Sequence, residues 1–282
     1  MPPVSSAHDS PIGRWTHTRW QPSFLRGAVE MIWYFDGSTA FRREHVFPNG
    51  LLELVFSLDG PRFVVEHDGR ALECPDANVS GLQLRPMVVV SPSDRTRVFG
   101  IRLHPAAASA VLGRALPDLV STTAALRDVV GPSANELAER CHAAQNPDVC
   151  VRIAARWIAA RLRAAPPPDQ AIDWVIRQIE ESSGRIPIAT LRERAGLSRN
   201  RLASAFRDQM GVAPKSYARI RRFDRAMRLM QTRPVSLSTL ALDAGYYDQS
   251  HLTAEFRSLA DRTPASFAAA LRYPESLNLA ER

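Results

Sequence analysis

Residues 195–226 read AGLSRNRLASAFRDQMGVAPKSYARIRRFDRA, and residues 240–267 read LALDAGYYDQSHLTAEFRSLADRTPASF. Laid together, Leu191-x3-Ala195-Gly196 matches Leu240-x3-Ala244-Gly245, and Leu202-x3-Phe206-Arg207 matches Leu252-x3-Phe256-Arg257. The offset is 49 residues before the turn and 50 after it, so the second turn is one residue longer. The glycine can take the left-handed conformation that ends one helix and swings the chain into another. Ala195 and Ala244 let the two helices approach, and Ser198 and Asp248 suit the cap position, where a side-chain oxygen accepts from a free amide of the next helix. Leu202 with Phe206, and Leu252 with Phe256, are four apart and so face one way, into a small core. The opposite faces then expose Arg199, Asn200, Ala203, Ser204 and Arg207 in the first unit, and Gln249, Ser250, Thr253, Ala254 and Arg257 in the second. Short polar side chains there suit base-pair edges in a major groove, and arginines reach guanine or phosphate.

Between the units, Pro214 fits the first position of a connector helix whose apolar stripe is Tyr217, Ile220, Phe223, Met227 and Met230. Its other faces carry Arg219, Arg222, Arg225 and Arg228, and Pro234 stops it. A stiff connector would fix the two recognition helices relative to each other, about 34 Å apart if they enter successive major grooves. From Arg192 to Arg233 there are twelve basic residues against three acids, a net of +9 in a chain whose total is +7. A solvated face usually mixes signs, so this clustering points to nucleic acid. One Ala-Gly turn alone would be a helical hairpin of no particular function; two units with matching caps and a basic connector predict a sequence-specific DNA-binding regulator of transcription, with double-stranded promoter or operator DNA as partner.

The 282 residues are about twice the ~150 of a typical domain, and the 45% hydrophobic and 23% charged fractions are those of ordinary folded proteins. Ala164-Ala165-Pro166-Pro167-Pro168-Asp169 cannot continue a helix, which divides the chain into residues 1–165 and 166–282. Upstream, apolar runs at Ala28–Phe35, Leu51–Leu58, Phe63–Val65, Met87–Val90 and Arg97–Leu103 have strand-like spacing and are followed by helical stretches at Ala106–Arg114, Ser133–Ala144 and Asp148–Arg163. The expected fold is therefore two-domain: an α+β, β-rich N-terminal domain with helices at its end, then an all-α double helix-turn-helix domain. The opening residues lack a signal-peptide apolar core and no window reaches ~18 unbroken apolar residues, which predicts a cytoplasmic protein with no membrane partner.

The two quoted stretches resemble the AraC/XylS family of bacterial transcription regulators, over roughly Asp169 to Leu271. The resemblance implies base reading by Arg199, Asn200, Ser204, Gln249, Ser250 and Thr253, and phosphate contacts by Arg207, Lys215, Arg219, Arg222 and Arg257. It also implies RNA polymerase as a partner. Ala203 and Ala254 stand where the family often has larger polar side chains, and Asp261 stands for a usual glycine, which predicts a differently capped helix end. Upstream, Phe47-Pro48-Asn49-Gly50, Leu52–Phe56 and Gly100–Pro105 are similar to a domain preceding this module in some members. That implies a sensor of a small-molecule effector or a homodimerisation platform, often on a cupin-like barrel.

Glu53 within Leu51–Phe56 and Arg102 within Val98–Leu103 are candidates for a polar ligand site, or for an ion pair. His45, His67 and His104 lack metal-ligand spacing, and Cys74, Cys141 and Cys150 form no CxxC pair, so neither a metal nor a cofactor is expected. Trp15, Trp20 and Trp33 are expected to fill the core, the alternative being that they line a pocket. No catalytic motif is present, which predicts a protein that is not an enzyme; the alternative is an enzyme tethered to DNA, its N-terminal domain catalytic.

Overall fold

A computed structural model describes residues 3–59, 62–65, 71–91, 95–113, 116–144, 146–232, 235–271 and 279–281. His67, Arg114, Arg233 and Pro234, singled out above, lie outside them. The first half supplies β1 (Val4–Ser10), β2 (Gly13–Trp20), β3 (Val29–Thr39), β4 (Arg43–Val46), β5 (Leu52–Ser57), β6 (Arg62–Val65), β7 (Ala71–Cys74), β8 (Ala77–Ser80), β9 (Met87–Val90) and β10 (Thr96–Leu103), then α1 (Pro105–Leu112), β11 (Thr123–Ala125), α2 (Leu126–Val130), α3 (Ser133–Ala144) and α4 (Pro147–Ala164). The second half contains α5 (Gln170–Glu181), α6 (Ile188–Arg194), α7 (Arg199–Met210), α8 (Pro214–Thr232), α9 (Leu237–Ala244), α10 (Gln249–Ala260), α11 (Pro264–Ala270) and a last strand, β12 (Leu279–Glu281).

The strands form a sheet ordered β1-β2-β3-β10-β5-β8-β11 and a second ordered β12-β4-β9-β6-β7, antiparallel at every pairing described. Alternation along the central strands puts Ile32 and Tyr34 of β3, Phe99, Ile101 and Leu103 of β10, and Leu52, Leu54 and Phe56 of β5 on one face, all buried. That face joins Ala108, Val111 and Leu112 of α1 and Ala154 and Ile158 of α4 in one apolar core. The β1–β2 hairpin gave no signal in the sequence: His8, Asp9, Thr16, His17 and Thr18 are polar, and a hairpin at a sheet edge needs no apolar run. Of the three tryptophans expected in the core only Trp20 is there, its Nε1 donating to Asp148. Trp33 is half-buried and donates to Glu53, and Trp15 is half-buried and stacked on His8.

Helix α4 ends at Ala164, residues 165–169 are not helical, and Asp169 caps α5 by accepting from the amides of Ala171 and Ile172. The apolar core does not stop at this break. It runs on through Ile172, Val175, Ile176 and Ile179 of α5 into Leu202, Phe206 and Met210 of α7. A second core, built from Phe223 and Met227 of α8, Leu240 of α9, Leu252 and Phe256 of α10 and Phe267 of α11, takes in Phe47 from the first half. β12 crosses back as well, pairing Leu279 with His45.

Candidate nucleic-acid interface

Two helix-turn-helix units stand at the ends of α8. In the first, Gly196 (φ 65°) turns α6 into α7; in the second, Gly245 (φ 89°) turns α9 into α10. Both angles lie in the left-handed region open to glycine. Ser198 caps α7 by accepting from the Arg201 amide at 3.2 Å, and Asp248 caps α10 by accepting from the His251 amide at 2.7 Å. Phe206 packs against Tyr217 (ring centroids 6.2 Å apart), while Phe256 packs against Phe223 (4.9 Å) and Phe267 (5.7 Å). At its far end α10 stops at Asp261 in the left-handed region (φ 53°), where the equivalent end of α7 is Gly211 (φ 78°). Aspartate is among the few residues other than glycine that adopt this conformation readily.

Packing those apolar faces inward leaves Arg199, Asn200, Ser204 and Arg207 exposed on α7, Gln249, Ser250 and Arg257 exposed on α10, and Lys215 exposed at the start of α8. Thr253 is half-buried, its hydroxyl donating to the Gln249 carbonyl at 2.8 Å; the Ser204 hydroxyl points to Asp208 at 3.5 Å. Among the described residues, none pairs with the side chains of Arg199, Arg207, Lys215 or Arg257.

The connector arginines behave differently from an outward-facing basic stripe. Arg219 binds both carboxylate oxygens of Glu255 (3.1 and 2.9 Å) and the Ser258 hydroxyl, tying α8 to α10. Arg222 donates to the Gly184 carbonyl after α5 and lies 6.0 Å from the ring centre of Tyr246. Arg225 donates to the Asp243 carbonyl of α9. Arg228 clasps the buried Asp224 at 3.0 Å and reaches Glu30 of β3 at 3.5 Å, and Arg221 donates to the Asn49 carbonyl at 2.8 Å. The sequence count saw the charge but not that much of it holds helices and halves together.

More joins the halves. Tyr217 donates to the Glu180 carboxylate at 2.8 Å, and His104 stands 3.8 Å from it. Burial works against the charge on Glu180, but His104 and Tyr217 outweigh it and hold the carboxyl below its ordinary value. In the first half, Arg102 and Glu53 face each other on β10 and β5 with Nε to Oε1 at 2.9 Å, and that oxygen also accepts from Trp33. Burial opposes the Arg102 charge, and Glu53 and Glu30 more than restore it. Of the three histidines weighed in the sequence, His45 and His104 are described, and no group of three metal-binding side chains occurs among the described residues. Cys74, Cys141 and Cys150 are free thiols. Among the described residues no helix is long and apolar enough to cross a membrane.

Two capped, exposed helices of matching build, each behind a glycine turn and bordered by unpaired cations, define a double helix-turn-helix DNA-binding protein. Residues 191–270 match the family model for a helix-turn-helix domain, and residues 19–125 match that of a domain of unknown function (DUF6597). The chain is 30% identical over 96 residues to the Probable transcription factor PqrA of Proteus vulgaris, covering 34% of this chain and 78% of that protein. It is 26% identical over 106 residues to the Arabinose operon regulatory protein of Escherichia coli (strain K12), of whose length it matches 36%. In three dimensions it is similar to ToxT from Vibrio cholerae, with a TM-score of 0.51 at 11% identity, over 86% of this chain and 99% of that one, a likeness of fold. The chain belongs to the AraC/XylS family of transcription regulators and is a DNA-binding regulator of transcription.

Proposed function

We propose that α7 and α10 enter successive major grooves of one operator and that the N-terminal half sets whether they can do so together. Arg199, Asn200 and Ser204 read bases from the first unit, and Gln249, Ser250 and Thr253 from the second. Arg207, Lys215 and Arg257 meet phosphate and supply the salt-dependent part of the affinity. Arg219 and Arg222, which the family resemblance puts on phosphate, we assign to bracing the units against each other, because each is held by protein partners. Glu53 and Arg102 we assign to fixing β5 against β10.

The single observation that carries the regulatory part is that both helix-turn-helix units are built into the first half: α7 shares its core, and Phe47 sits in the core of the second unit. Any molecule that shifts the β-rich half, whether a small-molecule effector or a second copy of the chain, then changes the placement of the recognition helices. The same reading makes RNA polymerase a partner at the promoter, places the protein in the cytoplasm and gives it no catalytic step. Footprinting on DNA upstream of its own coding region tests the two-groove reading. It should show two protected segments one helical turn apart, on one face; protection of a single segment would contradict it.

A further inference from the structure

The second turn exceeds the first by one residue, and that residue is Tyr247. Leu197 and Tyr246 are equivalent after their glycines and both are buried; Ser198 and Asp248 are equivalent caps; Tyr247 has no counterpart. Tyr247 is 87% exposed, whereas the other described tyrosines, Tyr34, Tyr217 and Tyr246, are buried. The turn that carries it is held from several sides. The Tyr247 amide donates to His251 Nδ1 at 3.4 Å, the Asp248 carboxylate accepts from the His251 amide, and the Tyr246 ring meets the His251 ring edge-on with centroids 5.2 Å apart. An exposed phenol on a held backbone therefore stands one residue ahead of the cap of α10, whose first turn begins with Gln249 and Ser250.

Two arginines lie against the turn. The Arg185 stem lies over Gly245, so closely that a Cβ there would stand 2.5 Å from its Cγ, and the Arg222 guanidinium lies by Tyr246. Arg185 is exposed, its Nε donating to the Ser182 carbonyl. Tyrosine offers a large rigid surface and a hydroxyl at little cost in side-chain freedom, and hydroxyl groups and cations are common partners of DNA phosphates beside a groove-bound helix.

We propose that Tyr247 contacts DNA: its hydroxyl donates to a backbone phosphate flanking the second recognition helix, and Arg185 places its charge on the same strand. This rests on the reading of α10 as a groove-entering helix. The test is titration of Tyr247→Phe, Arg185→Ala and Gln249→Ala full-length chains on the DNA fragment upstream of the coding region, at several salt concentrations, with melting curves to verify folding. Tyr247→Phe should bind about tenfold more weakly with the slope of log K against log salt unchanged, since no charge is lost. Arg185→Ala should lower that slope by about one. Wild-type affinity in Tyr247→Phe, with Gln249→Ala weakened, overturns the inference and leaves the recognition face standing; wild-type affinity in both removes the recognition face and the inference with it. A transcription defect at unchanged DNA affinity would move Tyr247 to a protein contact and overturn the inference too.

Discussion

Ser198 and Asp248 show how far single residues could be read without coordinates. A capping oxygen acts on the amides two or three positions ahead, so its meaning is local and visible in the chain. Replacing either by alanine should cost about 1 kcal/mol in chemical denaturation; a loss near zero would mean the helix starts are held by packing alone. Gly196 and Gly245 were legible for the same reason. Arg219 and Arg222 were not, because a guanidinium on a helix face looks the same in sequence whether it meets solvent, phosphate or a carboxylate from another helix. Glu255, which holds Arg219, and Tyr247, in the longer turn, drew no attention in the sequence, although the extra residue was visible as the change of offset from 49 to 50.

At the scale of elements, α8 is both spacer and clamp. Its apolar stripe binds the two cores, as its periodicity predicts, while its arginines reach α9, α10 and the turn after α5. Breaking a clamp and removing a phosphate contact should therefore differ in kind. Arg219→Ala should reduce stability by about 1 kcal/mol and leave the salt slope of DNA binding unchanged, because that guanidinium already has its anion. Lys215→Ala and Arg257→Ala should each lower the slope by about one with little effect on stability. Equal slopes for all three would mean that Arg219 leaves Glu255 for phosphate when DNA binds. Among strands, the long apolar runs at β3, β5 and β10 were legible because they are buried between neighbours. β1, β2 and β7 were not: edge or partly exposed strands carry mixed residues, and their partners are set by the fold.

For the whole molecule, the proline-rich break at residues 165–169 separates two compositions without separating two cores. Apolar surface from α5 and α7 is buried together with that of the sheet, which no local pattern announces. The intact chain should consequently unfold in one calorimetric transition, and Phe47→Ala, which opens the second core where Phe47 meets Phe267 at 5.2 Å, should lower stability by about 3 kcal/mol within that same transition. Two resolved transitions would show that the halves fold independently. Acid should loosen the joint between them. The Glu180 carboxyl titrates below its ordinary 4.5 in the folded chain, so the stability it adds is complete above that pH and is lost as pH falls through the lower folded value. Glu180→Gln should therefore flatten the decline in stability below pH 4.5, and an unchanged acid profile would place the sensitivity elsewhere.

The most direct test of a two-unit reader is binding of the full-length chain to DNA from its own upstream region across a range of salt, with Arg199→Ala and Gln249→Ala alongside the wild type. The account predicts specific binding that falls steeply with salt and weakens in each variant by about tenfold or more, one from each recognition helix. Binding without sequence preference, or untouched by both substitutions, would contradict the assignment of α7 and α10 as the faces that read DNA.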